Sequence, residues 1–233
     1  MKVLFNVEYG TVFGEELVLT LLTAGEAASG TQHKMTTFDG LHWFVEINYA
    51  TKPGAYVDYY HSVMHGDKVY RHEWLVEPHR LEFAAGKAMH YTVYDHWLDI
   101  PEDSYMYSSA FTDCVLARER ALSTPAEYQR TVRLKVRAPQ LRQSERLAVV
   151  GEPEVLGAWD VRKALTMTEH AAHEWVVSLD AAKLPLGHFE FKFLILDSEP
   201  DVAPLWEQLS NRSIEMPALE AGEVVVYELP QAV

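Results

Sequence analysis

The sequence predicts an all-β protein made of two immunoglobulin-like β-sandwich modules in tandem. Three observations carry that prediction. Apolar residues alternate with period two in short runs along the chain. Turn signals interrupt these runs every 8–15 residues, and no sustained helical periodicity occurs before about residue 113. The pattern is also written twice. Trp43 and Trp74 lie 31 residues apart, as do Trp175 and Trp206. An ungapped shift of 132 places Trp43 on Trp175, Tyr60 on Lys192, Trp74 on Trp206, His79 on Asn211 and Arg80 on Arg212.

In chain order, Val3, Phe5 and Val7 alternate, and apolar runs follow at 16–22, 42–49 and 55–64. Pro53-Gly54 separates the last two, and His65-Gly66-Asp67 reads as a hairpin turn into a strand over 69–74. A connector spans 96–128, with a short helix over 116–122 before Ser123-Thr124-Pro125; Trp97 and Phe111 are expected to pack the modules together. The second module begins with Arg130–Arg137, where Val132, Leu134 and Val136 share one face. Arg133, Lys135 and Arg137 share the other face, read as solvated. Runs at 146–150, 174–179, 189–196 and 223–229 complete the set. Phe189, Phe191, Phe193 and Ile195 point to the core, and Lys192 points out. The modules are therefore placed at 1–95 and 129–233. Neither has the Cys-Trp-Cys arrangement of true immunoglobulin domains.

At 233 residues and 48% hydrophobic composition, the chain can bury two real cores. A formal charge of -14 argues against nucleic acid or an anionic membrane as partner, because both need a basic surface. No apolar run approaches the length of a membrane span, and the N-terminus meets a charge too soon for a signal-peptide core. Cys114 is the single cysteine, so no intrachain disulfide is expected, and a cytoplasmic location follows as the expectation. The thiol itself reads as a small buried hydrophobe.

The chemistry-bearing residues cluster late in the chain. After 146–150 the chain turns through Gly151, Pro153 and Leu156-Gly157 to present Trp159. Lys192 and the Trp206-Glu207…Asn211-Arg212 stretch follow. Two indole faces with a lysine and an amide between them suit a sugar chain, since a glucose ring has an apolar C–H face and hydroxylated edges. His61 and His65 have helical metal-ligand spacing but fall on a strand and turn, where the rings do not converge. His170 and His173 are read the same way, so no metal and no cofactor are expected. The carboxylates are scattered, and no catalytic pair is assigned from spacing.

The elements Val150-Gly151, Leu156-Gly-Ala-Trp159, Glu174-Trp175, Phe191-Lys-Phe193 and Trp206-Glu207 to Asn211-Arg212 resemble the starch-binding domain, the family-20 carbohydrate-binding module, over roughly residues 129–230. The first copy resembles a diverged member. The tandem arrangement and its Ser-Ala-Phe connector look like the N-terminal region of a disproportionating-enzyme type 4-α-glucanotransferase. The resemblance implies that Trp159 and Trp206 are platforms, that Lys192 and Asn211 bond sugar hydroxyls, and that Glu207 contacts them at the rim. Trp175 stays structural. In the first copy Trp74 and Tyr60 are left as weak secondary contacts. The family's second, tyrosine-built site has no aromatic here, at 140–144 or 169–173, and is expected to be absent or weak.

The implied partners are α-1,4-glucan chains such as starch, glycogen, maltodextrin and cyclodextrin, together with a C-terminal catalytic domain of the parent protein. A catalytic barrel needs about 250 residues and alternating β and α patterns. This chain shows no such alternation, so it reads as the non-catalytic appendage of a glucanotransferase. The competing expectation is a protein-interaction or dimerisation module with a vestigial sugar site.

Overall fold

The computed structural model describes residues 1–22, 30–52, 54–83, 86, 88–115, 125–171, 173–199, 202–208 and 210–231. The turn proline at 53 and the helix expected over 116–122 lie outside the described residues. The chain divides into two compact units, Met1–Glu102 and Asp103–Val233, a division that falls inside the segment read as a connector. Among the described residues no helix is long and apolar enough to cross a membrane.

Unit 1 contains β1 (Lys2–Glu8), β2 (Glu15–Leu22), β3 (Thr31–Lys34), β4 (Thr36–Thr37), β5 (His42–Asn48), β6 (Tyr56–His65), β7 (Lys68–His72), β8 (His79–Glu82) and β9 (His90–His96). One of its sheets runs β9-β1-β5-β4, with β1 parallel to β9 and antiparallel to β5. The other runs β3-β2-β6-β7, and β8 also pairs with β6. Alternation decides which side chains go in: Val3, Phe5 and Val7 from β1 face Leu17, Leu19, Val57 and Tyr59, all buried. The Phe5 and Tyr59 rings meet edge-on at 4.8 Å.

Unit 2 repeats that connectivity with β10 (Arg130–Arg137), β11 (Glu145–Gly151), β12 (Leu165–Thr166), β13 (Thr168–Ala171), β14 (Glu174–Asp180), β15 (Gly187–Asp197), β16 (Leu205–Trp206), β17 (Arg212–Met216) and β18 (Glu223–Leu229). Its sheets are β13-β14-β10-β18 and β12-β11-β15-β16, with β17 on β15 as β8 is on β6. Again one pair, β10 with β18, is parallel. The core lies between the two sheets: Val132, Leu134, Trp175 and Val225 from one, Leu147, Phe189, Phe191 and Phe193 from the other. The predicted inward set of β15 and the structural Trp175 are both there.

Two expectations need correction. Arg133, Lys135 and Arg137 do not form a solvated face; all three are buried. Carboxylates on the flanking strands make this tolerable, with Lys135 Nζ 3.0 Å from Glu174 and Arg137 Nη2 3.8 Å from Glu228. Burial pushes the Glu174 carboxyl up, yet the Lys135 charge and the His170 hydrogen bond bring it below its ordinary range. Cys114, expected to be buried, is exposed.

His61 does not converge with His65, which is exposed; it is buried against Glu73 and His79. The Glu73 carboxylate accepts from the backbone amides of His61 (2.6 Å) and Leu98 (2.9 Å). It also lies 3.0 Å from His61 Nδ1 and 3.1 Å from His79 Nε2. Burial opposes ionisation of Glu73, but the neighbouring His79 and His61 hold it well below the usual carboxylate range. With its folded-state value well below the unfolded one of about 4.3, the group contributes stability that is fully present above the unfolded value and is lost progressively as pH falls from there toward the folded one. Thermal melts followed by near-UV circular dichroism should therefore show the parent losing stability progressively below about pH 5, and still losing it below about pH 3. Glu73→Gln should melt lower at neutral pH and depend less on pH.

Candidate functional site

The candidate site forms on the outer face of β15, opposite the Phe189–Phe193 core face. Here Glu190, Lys192 and Leu194 alternate outward. Strand β11 lies along one edge, with Val150 opposite Lys192 and Gly151 opposite Phe191. On the other edge β17 covers the first half of β15 and β16 the second, with Arg212 opposite Phe191 and Trp206 opposite Leu194.

Trp159 is delivered to this face by the turn after β11. Gly151 has no room for a side chain, because a Cβ there would lie 2.6 Å from the Glu190 carbonyl oxygen and 2.8 Å from Phe191 Cβ. That close approach lets the Trp159 amide donate to the Gly151 carbonyl at 3.0 Å. The turn then runs through Gly157 (φ 85°), Ala158 (φ 49°) and Trp159 (φ 65°), three successive left-handed residues. A bulky residue in that region is strained by about 1–3 kcal/mol, and such strain concentrates where a side chain must be aimed.

Asp160 closes the turn. Its carboxylate accepts from the Arg162 amide at 3.1 Å and from the Arg162 guanidinium at 3.0 and 2.9 Å, which holds the carboxyl below its ordinary range. Val161 and Ala164 pack on Ala148, Val150 and Leu194, so the turn has its own small apolar footing on the outer face. Gly157→Ala would bring a Cβ within 2.9 Å of the Lys163 carbonyl oxygen. It should cost more than about 1–2 kcal/mol, whereas Ala158→Gly, at an exposed left-handed residue, should stabilise by up to about 1 kcal/mol. Urea denaturation of the two variants checks both signs.

Trp159 and Trp206 are each 37% exposed, so neither ring is sunk in the sandwich. Between them Lys192 is half-buried, and its ammonium donates to the Glu207 carbonyl at 3.1 Å. Asn211 is exposed, and its amide donates to Glu190 Oε2 at 2.8 Å. The structure therefore gathers Trp159, Lys192, Trp206 and Asn211 around Glu190–Leu194 of β15.

Glu207 departs from expectation. It is 2% exposed, and its carboxylate is held by the Arg212 guanidinium, with Arg212 Nε at 2.9 Å. The Phe193 amide donates to the same carboxylate at 3.4 Å, and the Glu207 amide donates back to the Phe193 carbonyl at 3.1 Å. The carboxylate is a clamp rather than a rim contact. It fastens the short β16 segment to β15 and so fixes Trp206. Arg212 also stacks over Phe193 at 5.1 Å.

The same clamp exists in unit 1, and it corrects the repeat register. Glu73 exchanges amide and carbonyl contacts with His61 as Glu207 does with Phe193. His79 lies opposite Tyr59 as Arg212 lies opposite Phe191. His79 therefore replaces Arg212, not Asn211. His72, opposite Ser62, takes the place of Trp206, opposite Leu194. The connection into this strand is two residues longer in unit 2, which an ungapped shift cannot accommodate. Trp74 is displaced from the platform position, with its amide bonded to the Leu98 carbonyl at 2.9 Å. Tyr60, opposite Thr20, does stand where Lys192 stands opposite Val150.

Around 140–144 and 169–173, where a second sugar site is expected to be absent or weak, residues from 104–115 close in. The Tyr107 ring meets His173 at 5.2 Å, and Thr112 Oγ1 lies 3.4 Å from His173 Nε2. Met106, Phe111 and Val115 join Gln140, Arg142, Gln143 and Ser144 around a cavity of about 660 Å³. Trp97, for its part, lies against Tyr9 of its own unit at 4.2 Å with Arg71 over it, and Phe111 meets Tyr105 edge-on at 5.5 Å.

Residues 129–226 match the family model for the starch binding domain, CBM_20. Among solved structures, the chain is similar to a family 20 module of a maltotetraose-forming amylase from Pseudomonas Saccharophila STB07, at 22% identity and TM-score 0.34, covering 42% of this chain and 99% of that one. It is also similar to a family 15 glucoamylase from Hypocrea jecorina, at 20% identity and TM-score 0.37, covering 44% of this chain and 17% of that enzyme's length. A family CBM26 module of Amy13K from Eubacterium rectale, solved in complex with maltoheptaose, is similar at 8% identity and TM-score 0.29, covering 100% of this chain and 93% of that one. No curated protein matches the chain.

Proposed function

We propose that this chain binds α-1,4-glucans such as starch, glycogen and maltodextrin through the outer face of β15, and that it does so without catalysing their conversion. The carrying observation is the pair of partly exposed indoles: Trp159, whose amide is bonded to Gly151 of β11 on one edge of β15, and Trp206 of β16 along the other edge, with Lys192 on the strand between these edges and Asn211 leading into β17. The family match over residues 129–226 supports the same reading. Stacking removes apolar area of both indole and sugar from water, worth about 1 kcal/mol beyond burial for each ring. Glucoses of a curling amylose chain present tilted faces, which two separate platforms can follow. Lys192 and Asn211 then address hydroxyls.

Unit 1 shares the connectivity but has His72 and Tyr60 at platform and lysine positions, in keeping with a diverged copy that serves mainly as scaffold. In a parent protein the pair would tether a 4-α-glucanotransferase in the cytoplasm to its polymer by raising effective concentration. Calorimetric titration with maltoheptaose and β-cyclodextrin tests the reading. A dissociation constant in the micromolar to millimolar range, about -4 to -8 kcal/mol, is expected, and heats no larger than dilution would contradict it.

The rival reading, an interaction module, is favoured by one observation. Strand β7 is exposed throughout and carries Val69 and Tyr70 on its surface. It predicts a dimer in light scattering and indifference to maltoheptaose.

A further inference from the structure

We propose that Glu190 is a positioning residue of the sugar site, one that fixes which end of the Asn211 side-chain amide faces the ligand. The inference rests on the glucan-binding reading, but its structural half can be tested without sugar.

Glu190 has a firmly placed backbone. Its carbonyl accepts from the Glu152 amide at 2.9 Å, and the residue pairs with Ser213 of β17. Gly151, whose missing side chain leaves room for the Glu190 carbonyl, keeps β11 close on that side. The Glu190 side chain points outward two residues before Lys192, where Oε2 receives the Asn211 amide at 2.8 Å.

An ionised carboxylate can only accept hydrogen bonds. Asn211 must therefore turn its NH₂ toward Glu190 and its Oδ1 away; chemistry, not atom labelling, decides the orientation. Asn211 then offers the ligand an acceptor and one remaining N–H, next to Lys192, which is donor-only. Adjacent hydroxyls of a sugar each donate and accept, so a site with a fixed acceptor beside a fixed donor suits a vicinal diol. A glutamine at 190 keeps the size but not the instruction. Its own NH₂ can donate to Asn211 Oδ1, letting the asparagine flip and present two donors.

Calorimetry with maltoheptaose on the full chain reads the effect. Glu190→Gln should weaken binding about five- to tenfold, the size of one misplaced hydrogen bond, with an unchanged melting temperature. Added to Asn211→Ala it should cost nothing further, because the residue it positions is gone. Wild-type affinity for Glu190→Gln, or multiplied losses in the double variant, would overturn the proposal. In sugar-free ¹H–¹⁵N spectra, Glu190→Gln should move the Asn211 side-chain amide signals; unmoved signals would overturn it whatever the sugar does. A parent chain that ignores maltoheptaose while those signals move would sink the glucan reading and leave the Glu190–Asn211 anchor standing.

Discussion

Replacing both Trp159 and Trp206 by alanine is expected to weaken binding of β-cyclodextrin about a hundredfold. Each ring is 37% exposed, so each keeps a free face while the rest of the indole is packed against the protein. Losing one platform removes the stacking term and the apolar area it covers, about 1.5 kcal/mol or tenfold. The platforms stand on different edges of β15 and should act nearly independently, giving about a hundredfold for the pair. From a parent constant between micromolar and millimolar, that moves the double variant to about 0.1 mM or weaker. The fold should survive, since neither ring belongs to the core between the sheets. A folded double variant that titrates like the parent would remove the sugar reading.

Glu207→Ala is expected to have the largest effect on stability, about 3–5 kcal/mol in chemical denaturation, because it strands the Arg212 guanidinium opposite a vanished buried partner. The loss also removes an acceptor from the Phe193 amide. Binding should fall as well, because β16 is held to β15 through this residue and Trp206 is its neighbour. Replacing Glu207 and Arg212 together with apolar residues should recover part of the stability, as buried pairs often permit. A cost below about 1 kcal/mol for Glu207→Ala would show that the carboxylate does not clamp the strand.

Much of this was legible in the sequence. Period-two alternation gave the inward faces of β1, β10 and β15, because burial of one sheet face leaves a pattern that needs no long-range information. The presentation of Trp159 on the surface was legible because a glycine-rich turn followed by a tryptophan has a local signature. What escaped were effects of pairing. Arg133, Lys135 and Arg137 alternate like any solvated face but are buried, and the partners of Lys135 and Arg137, Glu174 and Glu228, come from flanking strands that a local pattern does not show. Glu207 reads like a surface glutamate until Arg212 is brought to it by the return of the chain through β17. The displacement of Trp74 from the platform position came from a two-residue difference in loop length, which residue matching at a fixed shift conceals. Strands β8, β9 and β17 were not read from the sequence: β8 and β17 are short with mixed polarity, and in β9 only Tyr91 and Val93 are apolar core residues in alternation.

The most direct test uses the six tryptophans as reporters. Their indole N–H signals should be resolved in a ¹H–¹⁵N spectrum and followed while maltoheptaose is added. Two signals, those of Trp159 and Trp206, are expected to move together along one binding curve, with Trp43, Trp74, Trp97 and Trp175 staying in place. Movement of the others while this pair stays still, or no movement at saturating sugar, would contradict a glucan site on the outer face of β15.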